Sequence, residues 1–475
     1  MRVLEFPNIS YVYDFSKSGF FTRLFGSDKH EGQCPPVSFF MNDDPIAHLF
    51  GFNIDALSQD LIDIAMAVYL TDRVSPRDPR KHHNENWVRN FALKVGVRNP
   101  DFWNQKAIQE DICGFLSNLT DDRWNLEFCL LSGEDRFAMF QPGLALAPQF
   151  TPRVALFSGG LDSFAGAAIN LAQNPQDSFV FISAATHNRQ ISQQRKQIKR
   201  LGNKNRKGEI VHYTVNFGIK WQESEKMIQE KTQRTRGFLY MTLGAVAAIN
   251  AGSSNLEIYE NGIGAINLPY DGSQVSAMNS RSVNPITLME MERLIRKIIG
   301  ADFTIENKYL LLTKGEMCTE VTLYEHRDGV VETFSCDGFP VHETGKSQCG
   351  VCTSCLLRRL SMESANIGEF DPGEQYGIDL TSSNVFPSFD RLRALRAMDW
   401  QYHQINQGLT GPNPWQELAF KFPELQTIVS ELVAAKGVSF EGLQKGILRL
   451  YKKYCDEWSG FSARNHLFRS ASRAA

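Results

Sequence analysis

Apolar positions along the chain recur with two periods, roughly every two residues and roughly every 3.6, and the changes between them mark the elements. Residues 1–50 hold neither period and read as irregular. Leu57, Leu61, Ile64, Ala65, Val68 and Tyr69 predict an amphipathic helix over Asp55–Arg73, closed by the Pro76/Pro79 region. Phe91, Leu93, Val95 and Val97 alternate as a half-buried strand, as do Trp124, Leu126, Phe128 and Leu130, with a helix over Lys106–Asn118 between them. Residues 1–150 therefore read as an N-terminal α+β accessory domain. Large aromatics in such strands are core anchors more often than base-stacking platforms, which is the reading for Trp87, Trp103 and Trp124. His82-His83 sits in a polar segment with no second ligand pair nearby.

From Arg153 the pattern changes. An apolar run, Val154-Ala-Leu-Phe157, meets two glycines and then a helical stretch from Ser163 to Leu171. Strands follow at Ser178–Ser183, Glu209–Val215 and Leu256–Glu260, and helices at Thr232–Asn250, Pro285–Ile299 and from Lys314. This alternation predicts an α/β fold over residues 151–330, a doubly wound parallel sheet that binds ligands at the carboxyl ends of its strands. Beyond a short cysteine-bearing lobe, residues 331–368, residues 369–475 read as a helical bundle. Phe389, Leu392, Leu395, Met398, Tyr402 and Ile405 trace one helix, Pro423–Lys436 a second stopped by Gly437, and Leu443, Ile447, Leu450, Tyr451 and Tyr454 a third after Ser439. The bundle either covers a site, grips a partner or packs on the core, and Arg464–Ala475 looks frayed.

Composition narrows the class. With 475 residues, 42% hydrophobic and 22% charged, the chain is an ordinary folded protein of several domains. A net charge of −3 gives no overall pull toward nucleic acid or membrane. Arg189–Lys207 holds eight basic residues and no acid, but without interleaved aromatics it reads as a solvated helix face before it reads as a nucleic-acid or nucleotide contact. The start lacks a signal peptide's basic and apolar regions and no apolar run is long enough to span a membrane, so a cytoplasmic protein is expected. Nine cysteines, four of them between Cys336 and Cys355, fit thiolate and metal chemistry better than a disulfide framework.

Two stretches carry chemistry. In Ser158-Gly159-Gly160-Leu161-Asp162-Ser163, glycines lacking Cβ let the backbone curl and aim N–H groups inward, and the helix that follows adds the positive end of its dipole. The turn suits a polyphosphate. It has no lysine, so phosphate charge must be met by Mg²⁺ and by basic residues from elsewhere, for which Arg236 and Lys314, each opening a helix, are candidates. Asp162 is the candidate metal or metal-water partner. Cys336, Cys349, Cys352 and Cys355 form C-x12-C-x2-C-x2-C, a spacing for tetrahedral Zn²⁺ closed to water and so structural; an iron–sulfur cluster takes the same ligands, and unrelated thiols are the bland alternative. His342 reads as a bystander. Gly345-Lys346-Ser347 is no Walker loop, since position 340 is proline, and Asn261-Gly-Ile-Gly-Ala-Ile-Asn267 is too short of glycines for a dinucleotide fingerprint and reads as a pocket-lining loop.

The SGGxDS turn resembles the signature of the PP-loop ATP pyrophosphatases. Together with Ser335-Cys336 and Cys349-Gly-Val-Cys352-Thr-Ser-Cys355-Leu-Leu-Arg358-Arg359 it is similar to the QueC family of 7-cyano-7-deazaguanine synthases, over about residues 150–365. The resemblance implies a PP-loop (adenine nucleotide alpha hydrolase-like) core, ATP and Mg²⁺ at Ser158–Ser163, structural zinc, and adenylation of the carboxylate of 7-carboxy-7-deazaguanine. In that family ammonia captures the acyl adenylate and a second adenylation yields the nitrile. Phe164 replaces the hydroxyl residue that usually follows the turn, and Leu268-Pro-Tyr-Asp-Gly-Ser-Gln274 differs from the family's Tyr-Pro-Asp segment. The flanking segments are instead similar to those of QueC-like proteins in bacterial anti-phage systems, Qat and CBASS among them. This implies transfer of the acyl group to an amine of a partner protein encoded nearby. The other readings are the biosynthetic synthase and a non-catalytic nucleotide-binding scaffold, and a homo-oligomer is compatible with any of them.

Overall fold

The computed structural model describes residues 8–14, 20–26, 37–42, 54–77, 88–131, 151–202, 206–220, 229–230, 232–270, 280–324, 326–339, 346–379 and 392–465. Trp87, His82-His83, His342, Gly345, Phe389 and residues 271–274 lie outside them. The strands are β1 (Asn8–Asp14), β2 (Phe20–Gly26), β3 (Val37–Asn42), β4 (Asn90–Val97), β5 (Arg123–Leu130), β6 (Arg153–Leu156), β7 (Phe179–Ala185), β8 (Ile210–Lys220), β9 (Asn255–Ile258) and β10 (Thr304–Asn307). The α-helices are α1 (Ala56–Val74), α2 (Pro100–Trp103), α3 (Lys106–Thr120), α4 (Leu161–Gln173), α5 (Asn188–Leu201), α6 (Arg236–Asn250), α7 (Gly262–Ile266), α8 (Pro285–Ile299), α9 (Lys314–Leu323), α10 (Thr353–Ser364), α11 (Arg393–Thr410), α12 (Pro414–Lys421), α13 (Glu424–Lys436) and α14 (Phe440–Arg464).

All these strands join one sheet in the order β10-β9-β6-β7-β8-β3-β2-β1-β4-β5. From β10 to β8 the neighbours are parallel, β1–β4–β5 is parallel again, and only β8–β3–β2–β1 alternates. The fold is thus α/β with a mostly parallel central sheet. Within the parallel half the chain runs β6, β7, β8 to one side and then returns to place β9 and β10 on the other side of β6. Such a reversal leaves a crevice beyond the carboxyl ends of the two strands that flank it.

Residues 1–50, expected to be irregular, supply three strands. Their apolar runs are short, doubled as Phe20-Phe21 and Phe39-Phe40, and cut by Gly and Pro, so no period builds up within a reading window. Through β3, paired with β8 from Ser38↔Lys220 to Asn42↔Asn216, the sheet crosses the boundary near residue 150 without a break. α2, β10 and α12 are further elements that the pattern did not reveal, and Asn261–Asn267, expected to be a pocket-lining loop, holds the short helix α7, capped by Asn261.

Alternation along β7 sends Val180, Ile182 and Ala184 to one core with α1, α6 and α8, and Phe179 and Phe181 to another with α4 and α9. The C-terminal helices build a third core on Ile263, Ile266, Leu356, Leu357 and Leu360, so the bundle packs on α7 and α10. Trp103 and Trp124 are core residues whose indole N–H groups donate to Asp60 Oδ2 (2.9 Å) and Thr120 Oγ1 (3.0 Å). On α5, Lys196 and Arg200 pair with Glu332, and beyond the helix Arg206 donates to the Asn174 and Asp177 carbonyls, so part of the basic segment is engaged by the fold itself.

Candidate ligand cleft and metal centre

A cleft of about 740 Å³ opens at the carboxyl ends of β6, β7 and β9. Ser158, Gly160, Leu161, Asp162, Ser163, Arg236 and Lys314 all line it, together with Cys336 from the cysteine lobe. Gly159 turns the chain behind them with φ +84°, and a Cβ there would lie 3.0 Å from the Phe334 ring. Only glycine meets both demands without strain. The two serines brace the turn: Gly159 N–H donates to Ser163 Oγ (3.1 Å), Gly160 N–H to Ser158 Oγ (3.2 Å), and Ser163 Oγ–H to the Gly160 carbonyl (3.0 Å). Gly160 is the N-cap of α4, whose first-turn N–H groups have no intrahelical acceptor.

At the floor, Lys314 Nζ pairs with Asp162 Oδ2 at 2.7 Å and Asn261 Nδ2 donates to Asp162 Oδ1 at 2.9 Å. Asn261 also donates to Glu260 Oε1 at 2.8 Å. Burial, then the Asp162 charge, pushes the Glu260 carboxyl up to about 8. Burial works against the Lys314 ammonium, but Asp162 and Glu260 outweigh it and hold its pKa above the ordinary lysine value. Lys314 is set by a capping box, Thr313 Oγ1 accepting from Glu316 N–H and the Glu316 carboxylate from Thr313 N–H. Arg236 begins α6 on the opposite wall, exposed, with Nη1 3.5 Å from Gln233 Oε1.

Ser183, also in the cleft, touches His212 Nε2 at 2.8 Å but donates its own proton to the Phe157 carbonyl at 2.6 Å. The imidazole therefore donates to the serine, and burial, with Arg195 nearby, pushes its pKa down to about 4. This is a structural tie and does not activate a nucleophile.

The four sulfurs of Cys336, Cys349, Cys352 and Cys355 lie within 4.8 Å of one another, with Cys349–Cys355 at 3.9 Å and Cys352–Cys336 at 4.0 Å. A tetrahedral zinc with Zn–S near 2.3 Å sets sulfurs about 3.8 Å apart, so the set fits such an ion with little movement. N–H groups of Cys349, Val351 and Cys355 each point at a sulfur at 3.4 Å. Such donors favour thiolate. Gly350, at φ +86°, makes the turn between the second and third ligands. The lobe is hydrogen-bonded to the glycine turn: Phe334 N–H meets the Gly159 carbonyl (3.4 Å), and Gln197 Nε2 joins that carbonyl to Glu332 O.

Glu260 and the Phe334–Phe339 stack, ring centroids 3.9 Å apart, were missed in sequence. Glu260 was legible in principle, because it follows β9 at the carboxyl edge where ligands gather. Fold and site together define an α/β protein with a mostly parallel sheet, a polar cleft at its strand reversal, and beside it a four-cysteine set able to hold a metal ion such as zinc. No protein-family model matches the chain, and no curated protein matches it. Among the described residues no helix is long and apolar enough to cross a membrane.

Proposed function

We propose that this protein is an adenylating enzyme of PP-loop type, akin to the 7-cyano-7-deazaguanine synthases. It activates the carboxylate of 7-carboxy-7-deazaguanine with ATP and releases pyrophosphate. One observation carries the reading: the SGGLDS turn ends β6 at the strand reversal and shares its cleft with Lys314 and Arg236. ATP phosphates lie along the turn and the first turn of α4, whose N–H groups supply donors. Mg²⁺, when bound, neutralises phosphate charge beside Asp162. Lys314 anchors Asp162 through their ion pair, and Arg236 steadies an oxyanion across the cleft. The acid's carboxylate oxygen attacks the α-phosphorus, the bond to pyrophosphate breaks, and bound geometry supplies the alignment. The Cys336–Cys355 set holds zinc as a wall support, since four thiolates leave it no open position.

The following step passes the acyl group to an amine, on a partner protein of an anti-phage system, with AMP leaving. Incubation with Mg²⁺, ATP, labelled pyrophosphate and the acid tests the first half. Acid-dependent exchange of label into ATP, abolished in Asp162→Ala, is expected; its absence rejects the reading. Mass shifts on proteins encoded beside this gene separate acyl transfer from free nitrile synthesis.

A further inference from the structure

The wall that carries Arg236 is held from outside the cleft, by the N-terminal segment packed against α6 on the same face of the sheet. Residues 229–230 lie at α1's C-terminal end and residues 232–235 lead into α6, and Glu230 and Thr235 are bound by the N-terminal segment. Glu230 N–H donates to the Arg73 carbonyl (2.9 Å), and its carboxylate accepts from Arg77 N–H (2.7 Å). Asp72, fully buried, accepts from Thr235 Oγ1 (2.9 Å) and Thr235 N–H (3.3 Å), while Arg89 binds its other oxygen at 2.6 Å. Arg89 and Arg77 share Asp122, each at 2.6 Å. A buried ionic network of this size adds little net stability but imposes one geometry.

What it imposes is unusual. Gln233 has φ +47°, a left-handed conformation that costs a non-glycine residue on the order of 1 kcal/mol. It lines the cleft, and its side-chain oxygen lies beside Arg236. Next to it, Gly237 packs so closely on Ser282 that a Cβ would approach Ser282 Cβ to 2.5 Å, so the start of α6 has no room to shift that way. Strain kept at a ligand-facing residue by a buried network outside the cleft is the pattern of a preorganised contact.

We propose that Asp72 is a positioning residue for the cleft: through Thr235 it fixes the turn at Gln233, so that the Gln233 amide and the Arg236 guanidinium face a bound oxyanion in one orientation. This rests on the adenylation reading for the ligand, whose oxyanion is either an ATP phosphate or the acid's carboxylate. Thr235→Val removes the hydroxyl bond to Asp72 at constant shape, and Thr235→Ser restores it. In the full-length protein, hydrogen exchange of backbone amides 232–236 is expected to quicken about tenfold in Thr235→Val and to return in Thr235→Ser. Calorimetric titration with a non-hydrolysable ATP analogue alone, and with 7-carboxy-7-deazaguanine alone, shows which ligand weakens by about tenfold. Gln233→Gly, which relieves the strain and removes the amide, is expected to melt at or above the parent and still lose that affinity. Unchanged exchange in Thr235→Val, or parental affinity for both ligands in Gln233→Gly, overturns the proposal. A parent that binds neither ligand instead rejects the adenylation reading, and amide exchange then still decides whether Asp72 sets the wall.

Discussion

Lys314 and Asp162 are each nearly buried and each other's counter-charge, so removing one leaves the other uncompensated. Lys314→Met is expected to cost about 3 kcal/mol in urea unfolding and to abolish ATP binding. Adding Asp162→Asn recovers stability but not binding, which a double-mutant cycle reads directly. Glu260 makes the complementary case. Its folded pKa of about 8 exceeds the ordinary 4.5, so the folded state holds a proton that the unfolded chain has lost. Its contribution therefore falls as pH rises from about 4.5 to about 8. Melting temperatures across that range should decline less in Glu260→Gln than in the parent; equal slopes refute the assignment. Asp162 and Lys314 are legible in sequence as site candidates, but their pairing with each other and the approach of Glu260 are not. Glu260 and Asn261 meet Asp162 only because β9 lies beside β6, a long-range pairing that no local pattern encodes.

At the scale of elements the sequence was far more legible. The glycine turn, the helix after it, the parallel strands with their helices and the cysteine spacing all follow from local rules, and they appear where the periods place them. Failures fall on elements whose local signal is weak: β10 is four residues long, and β1–β3 are six or seven residues each, bounded by glycine or proline. Two elements meet at Gly159. Gly159→Ala is expected to destabilise by about 1–2 kcal/mol from backbone strain and to press on Phe334, moving the cysteine lobe as well as the turn. Chemical denaturation measures the first effect. For the lobe, elemental analysis should find one zinc per chain, and Cys352→Ala should lose it with a lower melting temperature; full retention of metal by that variant contradicts the four-cysteine site.

The molecule as a whole is tied together at the cleft. The N-terminal strands extend the sheet through β3, and the Asp72 network reaches Thr235. From the other end, Thr313 Oγ1 donates to Glu457 of α14 at 2.7 Å, next to Lys314. Burial pushes the Glu457 carboxyl up to about 7. Glu457→Ala is expected to loosen the start of α9 and weaken ATP binding, seen as faster hydrogen exchange at residues 313–317; unchanged exchange there shows the bundle to be a passive cover.

Transfer of an oxygen atom tests the adenylation itself. With the carboxylate of 7-carboxy-7-deazaguanine carrying heavy oxygen, attack on the α-phosphorus leaves one labelled oxygen on AMP once an amine has taken the acyl group. Mass spectrometry should find AMP heavier by that single atom in the wild-type reaction and no AMP with Asp162→Ala. AMP released without the label, or no AMP at all, contradicts the account.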